Sequence, residues 1–494
     1  MSLPDSFLLP WGHALKTHST EQAADFPTTH LPNPSRLVSS SAPLSLRVGS
    51  GASIFADALL PAIAAARREV ILVTCFWAES ESLSGLRQCL EDLARRRISE
   101  IKNGRAGAGG GEGDGEIDEG DGAGTGAAGV ETLRIRICFS SRSALQKLLH
   151  TWSRDGHVYP PAKWPGLGLP AEPLLRAARI EMSVKSLFFL PFSVMHPKFL
   201  VVDGRRAWMP SCNVSWETWF ETCVEFEGPA VDDDDERKGP SGADFLGNWG
   251  RGGPGVDAGQ TLQFHGNPSR NVHRFAGASQ ALVPTVILPS SHHRSPRFNS
   301  LIPFLPLPFL REPPPPVTPL NAALEVLFAN ARKHIRIMTP NLTCRAVEAH
   351  LLDALARGVD VEILTSRNMM LLEQLVTALT TTSLRLRSFI KDYERLCRRA
   401  GGGRRDGDLE AGARRPGRLE VRYYKPDPEG GEDEPVVSHV KMVSVDGEFL
   451  VLGSGNMDRA SWFTSQELGV MFYGVEWDVW QEPLRTRTEV VFPR

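Results

Sequence analysis

No stretch of this 494-residue chain stays apolar for long. The longest such run, Leu301-Ile-Pro-Phe-Leu-Pro-Leu-Pro-Phe-Leu310, is too short and too rich in proline to cross a bilayer. An excess of charge is also lacking. Lys and Arg number 55 against 58 Asp and Glu, a net charge of −3, so nothing draws the whole protein to nucleic acid or anionic lipid. The seven cysteines are scattered, odd in number and without a C-x-x-C spacing. That argues against a disulfide framework or a zinc site and fits a reducing interior. Met1 to Arg36 has no cationic start followed by an apolar core and is not Arg-rich, so it reads as neither a secretory signal nor a transit peptide. The acidic run Asp232–Glu236 lacks the ligand spacing of a calcium loop. These absences lead to an intracellular protein, cytoplasmic or peripheral to a membrane.

What is present is a repeated octapeptide. His196-Pro-Lys-Phe-Leu-Val-Val-Asp203 and His439-Val-Lys-Met-Val-Ser-Val-Asp446 both read H-x-K-x-x-x-x-D. Ser211 and Asn213 follow His196 by 15 and 17 residues, and Ser454 and Asn456 follow His439 by the same intervals. Trp219 and Trp462 both come 23 residues after their histidine, each followed by Phe. Two copies in one register point to a duplicated site.

Each copy is an apolar, partly β-branched run ending in Asp-Gly, a strong hairpin signal. A two-residue loop at Asp203-Gly204 would put His196 opposite Ser211, with Lys198 and Asn213 on the same face. The second copy would set His439 opposite Ser454 in the same way. Each hairpin then offers an imidazole, an ammonium, a hydroxyl and an amide to one spot, a set suited to a phosphodiester. Histidine can attack phosphorus or protonate a leaving oxygen near neutral pH. Alternation turns Cys212 to the opposite face, as packing.

On these residues the chain resembles the phospholipase D superfamily, marked by a duplicated H-x-K-x(4)-D followed by G-S-x-N. The second copy matches in full, through Gly453-Ser-Gly-Asn456, whereas the first has Pro210-Ser-Cys-Asn213. The family's downstream glutamate, which contacts a catalytic histidine, falls on Glu467, and in the first half on Glu225 with a one-residue offset. The resemblance implies two tandem α/β sandwich domains, an internal duplication about a pseudo-twofold axis with one shared active site. It implies a catalytic set of His196, Lys198, Asp203, His439, Lys441 and Asp446, although the turn positions of both aspartates suit fixing the hairpins. His196 would form a phosphohistidine and His439 would act as acid and base. Lys198, Lys441, Asn213 and Asn456 would hold the non-bridging oxygens, with Ser211 and Ser454 as further phosphate donors. No metal or cofactor is implied, and a monomer suffices. The implied substrate is a phospholipid, with water or an alcohol as acceptor, as in a phospholipase D or a cardiolipin synthase. The alternative is a nucleic-acid phosphodiesterase, for which the composition offers no basic, aromatic-lined channel.

Along the chain, 1–44 reads as a flexible leader, 45–228 as the first domain, 229–315 as a linker and 316–494 as the second domain. Low-complexity inserts fall at about 104–129 and 401–417. Each domain repeats an order of helix, strand, helix, strand, strand and H-x-K hairpin. The helices and first strands are Phe55–Arg68 then Val70–Thr74, and Leu320–Lys333 then Ile335–Thr339. The loop Leu288–Arg297 reads as polar, with a head-group rim as alternative, and Leu301–Leu310 as a linker or a lip touching lipid.

Overall fold

The computed structural model describes residues 2–22, 34–108, 130–143, 146–147, 156–189, 193–215, 218–228, 271–273, 282–290, 314–401, 415–429, 431, 434–475 and 487–493. The acidic run Asp232–Glu236, the Pro-rich Leu301–Leu310 and the loop from 291 to 297 lie outside the described residues. So do 109–129 and 402–414, the greater part of the two inserts.

In the first half the strands are β1 (Val38–Ser50), β2 (Glu69–Phe76), β3 (Leu133–Ser141), β4 (His157–Val158) and β5 (Ile180–Ser186). A small hairpin of β6 (Phe188–Phe189) and β7 (Ser193–Val194) precedes the motif hairpin, β8 (Phe199–Val202) and β9 (Arg206–Pro210). β10 (Trp219–Glu227) and β11 (Asn271–His273) complete it. Both β10 and β11 pair with β1. From β10 the order runs β9, β8, β2, β3, β5, with β2, β3 and β5 parallel and the rest antiparallel.

The second half holds β12 (Val283–Ser290), β13 (His334–Thr339), β14 (Asp360–Thr365) and β15 (Leu419–Tyr424). β16 (Val437–Ser438) leads to its motif hairpin, β17 (Met442–Val445) and β18 (Phe449–Gly453), then β19 (Glu467–Tyr473) and β20 (Thr488–Phe492). From β12 the order is β19, β18, β17, β13, β14, β15, again with three parallel strands at the far side. β1 and β12 pair antiparallel, Val38 with Val286, which joins the halves into one large mixed sheet.

The burial pattern sets the layers. Val73, Phe199, Met209 and Val224 of the first half pack with Met338, Met442, Leu450 and Val470 of the second in one apolar cluster. The outer faces are covered by helices. In the first half, Leu86, Leu90 and Leu93 of Glu81–Ala108 pack over Ile135, Ile137 and Leu200. In the second, Leu324, Leu327 and Phe328 of Pro319–Asn330 pack over Ile335, Ile337 and Val443. The protein is thus a helix, sheet, sheet, helix stack, with the motifs on the inner strands.

Two boundaries differ from the sequence reading. The described part of the leader is not loose. Asp5–Gln22 is a helix, and Leu3, Phe7, Trp11 and Leu15, spaced by four, are all buried in the second half's core. Trp11 Nε1 donates to Pro319 O at 3.0 Å, and the Phe7 ring lies 5.7 Å from that of Phe449. Full burial of such side chains contributes roughly 1.5–3 kcal/mol each, which outweighs the bond lost at Pro10. The supposed linker also contains β12, whose alternate residues Val286 and Leu288 are buried against β19.

Candidate active site

Asp-Gly does make the tight turn expected of it. Asp203 (φ 55°) and Gly204 (φ 66°) are both left-handed, and Arg205 N–H bonds Val202 O at 3.2 Å. Past the turn, however, Val202 faces Arg206 instead of Arg205, and Val445 faces Phe449. One extra residue sits on each return strand, so the expected facing of His196 by Ser211 and of His439 by Ser454 is overturned. A slip of one residue exchanges the two faces of a strand.

The motif serines consequently serve the next strand. Ser211 Oγ donates to Glu221 Oε2 at 2.5 Å and accepts Thr222 N–H at 2.8 Å. Ser454 Oγ donates to Glu467 Oε2 at 2.5 Å and accepts Leu468 N–H at 3.0 Å. Each glutamate then crosses to the other half. Glu467 Oε2 lies 2.8 Å from His196 Nδ1, and Glu221 Oε1 lies 2.9 Å from His439 Nδ1. The backbone makes the same crossing: His196 N–H bonds Gln466 O at 3.0 Å, and His439 N–H bonds Phe220 O at 2.8 Å. β10 and β16 pair in parallel beside the second of these bonds. Both motifs therefore meet across the seam between halves.

Glu467 fills the place the sequence assigned it. Glu225 does not: it accepts from Ser45 Oγ at 2.9 Å and lies 3.6 Å from Arg206, away from either histidine. Its intended role falls to Glu221, which the sequence reading missed. Glu221 follows Ser211 by 10 residues, whereas Glu467 follows Ser454 by 13. The short helix Arg459–Phe463 occupies that interval of the second half. It also breaks the apparent match of the two tryptophans. Trp219 opens β10 with its ring 4.8 Å from that of His439, while Trp462 lies in the helix and accepts Asn321 Nδ2 at its carbonyl. The available signal was a lone acid beginning the run Glu221-Thr-Cys-Val224, fully buried as such an acid is only when partnered.

Lys198 and Lys441 are buried, with Nζ donating to the carbonyls of His196 and His439. Asn213 Oδ1 accepts Phe76 N–H at 3.0 Å, and its Nδ2 is a buried donor with no partner among the described residues. Asn456 bonds Asp458 Oδ2 through Nδ2 at 3.1 Å and keeps a buried Oδ1 with no partner among the described residues. Cys212 is buried, and burial pushes its thiol well up, which suits packing.

Asp203 and Asp446 stand apart, seven residues of chain from the histidines, or roughly 23 Å if extended. Asp203 accepts the backbone N–H groups of Arg67, Arg68 and Glu69, and Asp446 those of Arg332, Lys333 and His334. Each ties its hairpin to the start of β2 or β13, so the structure gives them a scaffolding place outside the cluster of histidines and lysines. Asp203→Ala should destabilise the fold by about 1.5–3 kcal/mol, the worth of bonds to a charged acceptor. Thermal melting would show this, and activity per folded molecule should be retained.

Charge at the site is unequal. Burial pushes the Glu221 carboxyl up to about 7, only partly offset by Lys441 and the Ser211 bond. Burial acts on Glu467 too, but His196, Ser454 and a third donor, Ser461 Oγ at 2.7 Å, outweigh it and hold its carboxyl below the usual range. Burial lowers both imidazoles and both lysines add to it, but Glu467 offsets part of the effect on His196, so His439 is lowered the more. His196 keeps 13% of its side chain open to solvent and His439 only 1%. The wider arrangement is two histidines, two ammonium groups and an orphan amide donor around one seam, able to hold an anionic tetrahedral group between two imidazoles.

Residues 324–482 match the family described as cardiolipin synthase, PLD-like domain. A search of curated proteins found no match. Among solved structures, phosphatidylserine synthase of Haemophilus influenzae is similar with 13% identity and a TM-score of 0.49, over 92% of this chain and 89% of that one. Nuc, a phospholipase D family member from Salmonella typhimurium, is similar with 17% identity and a TM-score of 0.22, over 32% and 76%. Polyphosphate kinase of Porphyromonas gingivalis shows 10% identity and a TM-score of 0.37, over 83% and 41%. The chain carries a phospholipase D-like domain over residues 324–482, and its resemblance to the phospholipase D superfamily holds.

Proposed function

We propose that the chain is a phosphodiesterase of the phospholipase D type, which hydrolyses or transfers the phosphatidyl group of a phospholipid through a phosphohistidine. The observation that carries the reading is the pair of crossed glutamate–histidine contacts, each histidine oriented by the other half. Two halves with one strand order and one hairpin device are the product of an internal duplication, with a single site on their seam. The cardiolipin synthase description of the matched family supports a lipid substrate, and the scattered free thiols suit an intracellular setting.

His196 is the nucleophile. Glu467, ionised, accepts Nδ1–H and leaves the Nε2 lone pair free, and this imidazole is the more open to an arriving phosphorus. Nε2 attacks phosphorus as the bond to the leaving alcohol oxygen breaks, and His439 Nε2 delivers its proton to that oxygen. Water or an acceptor alcohol then attacks phosphorus, gives its proton to His439, and releases His196 as the P–N bond breaks. Lys198, Lys441 and the Asn213 amide neutralise the non-bridging oxygens throughout. Glu221, near its midpoint at neutral pH, suits a partner of the histidine that cycles its proton. The leaving and accepting oxygens thus share one acid–base.

The test is incubation with mixed phospholipid vesicles and a primary alcohol in EDTA. A phosphatidyl-alcohol product that His196→Ala abolishes is the expected result. Cleavage of single-stranded DNA without any lipid product would move the reading to a nuclease. Activity lost in EDTA and restored by one metal would overturn the lysine-only account of the charge.

A further inference from the structure

Leu371–Ala378 is a helix with an exposed apolar face. Leu371, Leu372, Leu375, Val376 and Leu379 fall within one side of the helix at 100° per residue, and all five are exposed, Leu372 by 77%. Five neighbouring large apolar side chains are more than a soluble surface scatters singly. The opposite side holds one anchor, the buried Gln374. Its Nε2 donates to Asn341 Oδ1 at 2.8 Å, and its Oε1 accepts Thr382 N–H at 2.6 Å. Met370 and Leu379, at the two ends, are both left-handed (φ 52°), a conformation bulky residues rarely adopt.

Thr382 starts the next helix, Thr382–Gly401. Its inner side, Leu386 and Phe389, is buried in the core. Along its outer side Leu384, 55% exposed, is followed at helical spacing by Arg387, Lys391, Arg395 and Arg398, all exposed, with the exposed Glu394 as the one acid among them. Arg395 pairs with Asp392 of the same helix. An apolar face thus continues into a basic row, on a chain whose net charge is −3. Asn341, the anchor's partner, neighbours Leu342, which bridges Met457 beside the motif's Asn456. Glu373, on the apolar helix, is pushed up to about 7, first by burial and then by Asp458, with Lys147, Lys198 and Glu467 acting less. The helix Leu371–Ala378 also contacts Arg459–Phe463, the short helix that follows Asn456, so the surface lies beside the candidate site.

We infer that Leu371–Leu379 and the basic row 384–398 form a docking surface for an anionic phospholipid bilayer, which inserts the leucines and seats the site over lipid head groups. Apolar insertion flanked by arginine and lysine is the chemistry that holds a helix in a membrane interface. A bilayer is favoured over a second copy of the chain because the apolar patch adjoins both a cationic stripe and the candidate site. This inference rests on the lipid reading above.

Co-sedimentation of the full chain with phosphatidylcholine vesicles, with and without phosphatidylglycerol, tests it. Hydrolysis of soluble bis(p-nitrophenyl) phosphate serves as a control. The variant Leu372→Glu/Leu375→Glu should lose about tenfold in binding to both vesicle types. Arg387→Gln/Lys391→Gln should lose about tenfold only on the anionic ones. Soluble diester hydrolysis should be unchanged in each. Wild type that binds no vesicle, or a leucine variant that binds as wild type does, overturns the docking surface while leaving the phosphodiesterase reading intact. A wild-type dimer dissolved by the leucine variant, with vesicle binding unaltered, overturns it in favour of self-association. Vesicle binding lost in the variants of a protein that cleaves only DNA would sustain the surface and sink the lipid substrate.

Discussion

His196→Ala should lose at least about 10⁴-fold of diesterase activity, the scale on which a covalent nucleophile is missed once positioning groups remain. It should also form no phosphoryl adduct. The wild type, quenched during turnover of a labelled diester, should carry an adduct that acid releases and alkali spares, as a phosphoramidate does. His439→Ala should separate the two steps. Its first step lacks the proton for a poor leaving alcohol, but a p-nitrophenolate needs none, so the adduct should accumulate with that substrate. Should His196→Ala form the adduct and His439→Ala not, the roles are reversed. The imidazole open by 13% would then be the acid, and the one under Trp219 the nucleophile.

The two H-x-K copies were legible because everything that makes them is local. Asp-Gly specifies its turn within four residues, and alternation places the lysine two residues from the histidine. What lay beyond reach was decided by partners elsewhere in the chain. The one-residue displacement after each turn lies in a wider ladder, which β8 and β9 share with β2 and β10 and which β17 and β18 share with β13 and β19. Glu221 touches a histidine 218 positions away, so no count from its own motif could find it. Counting from His196 led to Glu225 because a helix in one half alone shifts the interval by three. The N-terminal helix is a different case. Its spacing of four, Leu3, Phe7, Trp11 and Leu15, was on the page, and only the absence of a motif hid it. β12 was masked by the Gly-rich and Pro-rich sequence on either side, although Val283-Pro-Thr-Val-Ile-Leu alternates well enough to bury Val286 and Leu288.

The second large effect concerns the crossed glutamates. Glu467→Gln and Glu221→Gln should each lower kcat by about 10³-fold, between the loss of an oxyanion donor and that of the orienting carboxylate in a serine-protease triad. Their pH profiles should differ. Glu467 stays ionised, held low by three donors, so it contributes no limb near neutrality. Glu221 is pushed up to about 7; below that value its carboxyl donates to His439 Nδ1 and leaves on Nε2 the proton the leaving oxygen needs, and above it the carboxylate holds Nδ1–H and Nε2 has none to give. Wild type and Glu467→Gln should therefore share an alkaline limb near pH 7 that Glu221→Gln lacks. Stability should move the same way. A carboxyl raised from 4.5 to about 7 is protonated in the folded chain across that window and ionised in the unfolded one, so its contribution falls as pH rises from 4.5 to 7. The melting temperature of Glu221→Gln relative to wild type should thus be higher at pH 8 than at pH 5. The opposite order would mean that His439 carries its proton as an imidazolium and that the pair is ionic in the resting protein. The acid–base of both steps would then be charged before substrate arrives, and the phosphodiester would be drawn in by three cations, Lys198, Lys441 and His439, instead of two.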